Sequence, residues 1–196
     1  MRVGMIFECG PRGADEQVCT HLARLLNPSI QISTVTLSTK PQLISDCGEA
    51  ARVLLDQGCD RVIVIWDLHP GHGKEPCRHY DSKEIFAALK RANITSPPAY
   101  LVCIEAMLEA WLLADGTALS SLLSRPTHAV NVKGERRPER IRDPKKRLIS
   151  LFREHWGGRP YIDRQHSIMI AKVLDLAKVR RRCRTFDRFA GLVTDE

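Results

Sequence analysis

No apolar run in the 196 residues approaches the roughly 20 that a bilayer-spanning helix needs. The first apolar stretch, Val3 to Phe7, is cut off by Glu8 and is too short for the core of a secretory signal, so a cytoplasmic protein without membrane association is expected. Cys-x-x-Cys pairs are missing too. The seven cysteines are odd in number, and Cys19, Cys59 and Cys103 sit inside apolar segments, which predicts reduced, mostly structural thiols rather than a disulfide framework. Gly-x-Gly-x-x-Gly and Walker A loops are both absent, which argues against Rossmann-type nucleotide chemistry. Aromatic residues are sparse: with three Trp, three Tyr and no RNP-like run, single strands have no stacking platform. Internal repeats and low-complexity tracts are lacking as well.

What remains is a chain with enough apolar residues, 43%, to bury a real core, and with an uneven charge. Residues 1–115 carry 11 Lys and Arg against 14 Asp and Glu, a balance of −3; residues 116–196 carry 19 against 9, a balance of +10. An acidic, cation-binding part beside a basic part suits an enzyme that acts on a polyphosphate, although a basic half can equally be a solvated surface. The division predicts an α/β core over 1–115 and a basic, mostly helical extension over 116–196 packed on it.

The hydrophobic pattern alternates. A strand over 2–8 leads through a Gly-Pro turn into a helix over about 14–26; a looser strand over 30–37, plausible as a sheet edge, leads into a helix over 41–57. The Val/Ile run 61–66 predicts a strand buried on both faces. A helix capped by Asp81 or Ser82 and reaching Asn93 precedes a fourth strand over 99–104. Four strands separated by helices predict a parallel, doubly wound sheet. Beyond Ala106 the pattern turns helical. An irregular basic loop spans 125–142, Asp143-Pro144 starts a helix reaching about Trp156, and helices follow over 167–179 and 184–192.

Two strands end on carboxylates. Glu8 directly follows Val3 to Phe7, and Asp67 directly follows Val62 to Trp66; in one parallel sheet both reach the carboxyl edge, where open α/β folds place ligands. A carboxylate at a strand end needs a partner, and for Glu8 the amides of the Gly10 to Gly13 turn are an alternative to a cation. Residues two apart in extended chain point the same way, so Asp67 and His69 are candidates for one ion. His72, Cys77 and His79 follow, but the spacing 69, 72, 77, 79 fits no compact zinc motif, and histidines lining a wet cleft are preferred over structural zinc. Glu105 and Glu109 share a face if helical and repel unless a cation or base lies between them. Alternatively, Glu105 complements a helix N-terminus and Glu109 pairs with a distant arginine.

These residues carry a resemblance. Glu8 before a Gly-Pro turn, Asp15-Glu16 beyond it, and an apolar strand running into Asp67-Leu68-His69 resemble the Toprim (topoisomerase-primase) fold, whose signature is a strand-end Glu and a later Asp-x-Asp. Glu109-Ala-Trp-Leu-Leu-Ala-Asp115, Asp143-Pro-Lys-Lys146, Tyr161, His166, Ile170-Ala171 and Cys183-x-x-Phe186 resemble a family of small bacterial Toprim-like proteins distantly related to OLD-type nucleases. This resemblance covers nearly the whole chain. It implies a Toprim-like, mainly parallel four-stranded sheet flanked by helices, with Mg²⁺ or Mn²⁺ at its carboxyl edge. By motif, Glu8 would be general acid/base or metal ligand, Asp67 a metal ligand, and Asp15 or Glu16 a further ligand. A phage-defence or mobile-element setting with an ATPase partner is also implied. The chain departs from the pattern at His69, which replaces the second acid, at Cys9, which replaces glycine, and at Asp163 and Arg164, where a lysine is expected near Tyr161. Imidazole in place of carboxylate moves a site's preference from Mg²⁺ toward Mn²⁺, Zn²⁺ or no metal.

The expected function is therefore a metal-dependent phosphodiesterase acting on DNA or RNA. Glu8, Asp67 and His69 would hold the ion, Glu105 or Glu109 would complete its shell, and Lys145, Lys146, Arg180, Arg181 and Arg182 would hold the strand. The alternative, favoured by His69, is a non-catalytic Toprim-like scaffold that binds nucleic acid or a partner ATPase.

Overall fold

A computed structural model describes residues 1–69 and 75–195. The chain runs β1 (Arg2–Phe7), α1 (Ala14–Leu26), β2 (Gln31–Thr36), α2 (Lys40–Asp56), β3 (Arg61–Asp67), α3 (Arg78–Arg91), β4 (Ala99–Ile104), α4 (Glu109–Leu113) and α5 (Gly116–Leu123). A single 3₁₀ turn (Pro138–Arg140) then precedes α6 (Pro144–His155), α7 (Asp163–Ala171), α8 (Leu176–Arg182) and α9 (Arg184–Thr194). The fold is α/β: the four strands form one all-parallel sheet in the order β2-β1-β3-β4, flanked by helices, consistent with a Toprim-like arrangement.

The two central strands read as continuous apolar runs because both of their faces are covered. Val3, Met5 and Phe7 of β1, with Ile63 and Ile65 of β3, pack on the side that holds α1 and the later helices. Ile6, Val62, Val64 and Trp66 pack on the other side against α2 and α3. The edge strand β2 is only partly buried, as its loose alternation predicts. Residues before and after 115 share the first of these cores, in which Leu22, Trp111, Phe152, Phe186 and Phe189 are fully buried. Trp111 anchors that region: its indole donates to Thr185 Oγ1 at 2.8 Å, and its ring lies 5.2 Å from Phe186 and 5.6 Å from Phe189. Thr185 sits at the start of α9, whose free amides donate to the Glu139 carboxylate from Arg184 and Thr185, each at 2.9 Å.

Three expected elements differ. Helix α3 begins at Arg78, so Asp81 lies inside it, buried, and accepts from the Trp66 indole at 3.3 Å instead of capping the helix. The helix expected over 167–179 is two: α7 starts earlier, at Asp163, and Asp175 opens α8 by accepting from the amides of Ala177 and Lys178. A side chain with that strong N-cap preference competes with helix continuation. The basic segment 125–142 is not featureless: Arg125 and His128 form a β-bridge, and Val130, Val132 and Pro138 are buried. His72 lies outside the described residues. Among those described, no helix is long and apolar enough to cross a membrane, and all seven cysteines are free.

Helices α2 and α3 touch through Gly48, where an added methyl carbon would stand 2.3 Å from the Ala88 carbonyl oxygen. Alanine would favour the helix by about 1 kcal/mol, but overpacking against rigid backbone costs about 1–3 kcal/mol. Gly48→Ala is therefore expected to lower stability by about 1 kcal/mol in urea unfolding, despite the better helix former; an unchanged or raised midpoint would refute this close approach.

Candidate active site at the carboxyl edge of the sheet

The parallel register carries the ends of β1 and β3 to the same edge: Phe7 pairs with Ile65, and Asp67 with Ile104 of β4. Glu8 follows Phe7. The turn after it places Asp15 in the first turn of α1, where the helix dipole favours an acid. The chain leaving β3 is held against β4, with Leu68 N donating to Ile104 O at 2.9 Å and His69 N to Ala106 O at 3.0 Å. Glu109 opens α4 and is only 6% exposed. From the second part of the chain, α6 brings Lys145 and α7 brings Asp163, which meet at 2.8 Å. Glu8, Asp15, Asp67, His69, Glu109, Lys145 and Asp163 line one cleft of about 180 Å³.

Four of these carboxyls are held in the wrong environment for a charge. Burial pushes Glu8 up to about 7; the Lys40 ammonium works against this, while Asp15 and Asp81 add to it. Burial likewise raises Asp15 to about 6 and Glu109 to about 6. Asp67 is raised well above the carboxylate range by burial first, then by repulsion from Asp15, Glu109 and Glu8. Asp163 is the exception, held low by its bond from Lys145. Burial alone would lower Lys145, but the Asp163 bond and the charges of Glu109, Asp163 and Asp15 outweigh it and raise it. Among the described residues, Glu8 Oε2 and Asp67 Oδ1 are buried without a hydrogen-bond partner. Unpaired buried carboxylate oxygens are costly, and either a proton or a cation relieves them.

The structure thus brings together Glu8, Asp15, Asp67, His69, Glu109 and Lys145, while Glu16, Glu105, Lys146 and Arg180 to Arg182 are not in the lining of that cleft. Glu105 precedes α4, so it shares no helical face with Glu109; it points to a separate cleft and pairs with Arg78 at 3.5 Å. The positive φ of Ala106, 65°, marks the turn that separates the two acids. Lys146 is exposed, Arg180 pairs with Asp187 at 2.9 Å, and Arg182 donates to the Ala114 carbonyl at 2.5 Å. None of these three, nor exposed Arg181, lines the acid cleft. Asp163 and Tyr161 were not anticipated as site residues. The Tyr161 hydroxyl approaches Glu109 Oε1 at 3.5 Å, and nothing in local spacing announces contacts across more than fifty residues.

The chain matches a family described as Domain of unknown function (DUF4276) over residues 12–193. It belongs to the DUF4276 family. The matched span includes Asp15, Asp67, Glu109, Lys145 and Asp163 of this DUF4276 chain, and begins just after Glu8. No curated protein matches the chain.

Four hard carboxylates, two of them with an oxygen left unpartnered among the described residues, fit Mg²⁺ or Mn²⁺ better than a softer ion, and His69 in the lining adds a nitrogen donor. In this conformation, among the described residues, no three His, Cys, Asp or Glu side chains form a ready ligand set. Glu8, Asp15 and Glu109 bind protons more tightly in the folded than in the unfolded chain, so their contribution to stability is fully present below the ordinary carboxylate range and is lost as pH rises from about 4 to about 7. Each of the three contributes on the order of 2–3 kcal/mol to that loss in metal-free buffer. Millimolar Mn²⁺ should restore thermal stability at pH 8 far more than at pH 5. Asp67→Asn should raise the metal-free midpoint at pH 8 and abolish the Mn²⁺ response; a midpoint indifferent to both pH and metal would reject the cluster as charged.

Proposed function

We propose that this protein is a metal-dependent phosphodiesterase of Toprim-like type acting on DNA or RNA. The observation that carries the reading is the convergence of Glu8, Asp15, Asp67 and Glu109 in one cleft, with Glu8 Oε2 and Asp67 Oδ1 left without partners among the described residues. Asp67, Asp15 and Glu109 would hold Mg²⁺ or Mn²⁺, with His69 in the same lining. Bound there, such an ion lowers the pKa of water and stabilises charge on a phosphoryl oxygen. Glu8, poised near 7, takes a proton from the attacking water and returns it to the leaving oxygen. Lys145, oriented by Asp163, neutralises a non-bridging phosphate oxygen. Lys40 donates to the carbonyls of Asp67 at 2.6 Å and Leu68 at 3.0 Å, fixing the backbone that carries Asp67. Seven free cysteines support a reducing, cytoplasmic location, and a bacterial defence setting with an ATPase partner follows from the Toprim-like resemblance.

One observation favours the scaffold reading. The Lys145 ammonium already stands among the acids, and an internal cation can neutralise such a cluster without a metal.

Supercoiled DNA and structured RNA incubated with purified protein in Mg²⁺, Mn²⁺ or Zn²⁺ separate the two. Cleavage is expected in Mg²⁺ or Mn²⁺, with Glu8→Gln and Asp67→Asn each slowing it about 10²-fold or more. Activity that survives both substitutions sinks the catalytic assignment; salt-sensitive binding without cleavage in any metal supports the scaffold.

A further inference from the structure

On the side of α1 away from Asp15 lies a second cleft, of about 380 Å³, between α1 and α7. Its volume falls within the range of small-ligand sites. Arg12, Arg24 and Lys172 line it, and among the described residues none of their side chains makes an ion pair. The one acid in the lining, Glu16, has both oxygens engaged, Oε2 by Arg12 N at 2.8 Å and Oε1 by Thr34 Oγ1 at 2.7 Å. Thr20 Oγ1 and His21 Nε2, also in the lining, are buried without partners among the described residues.

The cleft is built rather than incidental. Arg12 has φ 56°, a left-handed conformation uncommon outside glycine, and is held there from both sides. Its N–H is taken by Glu16, and its carbonyl accepts from Gln17 Nε2 at 2.7 Å. A strained arginine pinned by two side chains of α1, with its own guanidinium unpaired, fits a binding role better than a solvated charge. Two guanidinium forks and one ammonium are the residue types that recognise phosphate oxygens. Their potential is felt locally: burial first, then Lys172 and Arg24, hold His21 below its ordinary 6.5.

We propose that this cleft binds a phosphate group through Arg12, Arg24 and Lys172, with Thr20 and His21 supplying neutral hydrogen bonds. The site stands apart from the acid cleft and does not depend on cleavage there. Inorganic phosphate and the backbone of a nucleic acid present the same oxygens.

The test follows the His21 imidazole signals by NMR in the full chain carrying Glu8→Gln, which slows any turnover at the acid cleft. His21→Gln provides the assignment. Inorganic phosphate and a short DNA or RNA oligonucleotide are titrated separately, and again into the chain that also carries Arg12→Gln, Arg24→Gln and Lys172→Gln. The ligand should shift the His21 signal and raise its pKa. The triple substitution, all at exposed positions, should leave the thermal midpoint unchanged and weaken binding about tenfold or more; for an oligonucleotide it should also reduce the slope of log K against log salt by about 2. A response to phosphate alone assigns the cleft to a small phosphate-bearing ligand, and a response to the oligonucleotide assigns it to a nucleic-acid backbone. A silent His21 with both ligands, or undiminished binding by the triple variant, overturns the proposal. Loss of cleavage at the acid cleft with His21 still responding leaves this site standing.

Discussion

The buried ammonium of Lys40 is the interaction on which the acid edge depends. It is only 5% exposed, donating to the carbonyls of Asp67 and Leu68 and facing Asp81 Oδ2 at 3.7 Å. Asp81 in turn takes the Trp66 indole proton, so the end of β3, the start of α2 and the first turn of α3 are tied through one cation. Breaking a buried pair by removing one partner costs about 3–5 kcal/mol, because the other charge is left in a low dielectric. The same ammonium moderates the rise of Glu8, so the tie that holds Asp67 in place also tunes its neighbour.

Around that tie the site is assembled from both parts of the chain. The sheet edge alone supplies acids, an arrangement that repels itself. Lys145 and Asp163 arrive from α6 and α7, which can reach the edge only because Trp111, Phe152, Phe186 and Phe189 bind the later helices into the core against α1 and the sheet. Tyr161 and His166 lie in the same aromatic group, with Phe152 between 4.8 Å and 5.2 Å from both rings. The Ile162 amide donates to His166 Nδ1 at 2.8 Å, which secures the turn where Asp163 starts α7. Packing energy far from the cleft thus sets the position of the charges within it.

Helix α1 separates two chemistries. Asp15, in its first turn, faces the acids at the strand ends, while Thr20, His21 and Arg24, five to nine residues further along, open onto the basic cleft. The loop joining Glu8 to α1 carries Arg12 in its left-handed conformation, so one short turn positions an acid on one side and a cation on the other. The basic second part of the chain contributes Lys172 here and Lys145 to the acid cleft. Arg180 and Arg182, the densest run of charge, are spent on Asp187 and on the Ala114 carbonyl.

Much of this was legible without coordinates. Apolar runs mark β1, β3 and β4, loose alternation marks β2 as a sheet edge, the continuous Val/Ile run of β3 marks its burial on both faces, and a parallel sheet forces Glu8 and Asp67 to a common edge, because strand ends of like direction must coincide. The Asp143 cap of α6 was equally plain, since capping is a local property of adjacent residues. The tertiary structure alone decided which charges share a cleft. It removed Glu105 through a single left-handed residue, Ala106, and dispersed Arg180 to Arg182. It added Asp163, and it buried Lys40 beneath Asp67. Periodicity reports which face of an element is apolar, but the partner of a charge depends on how distant helices pack, and that is set by side-chain shape across the core rather than by any local pattern.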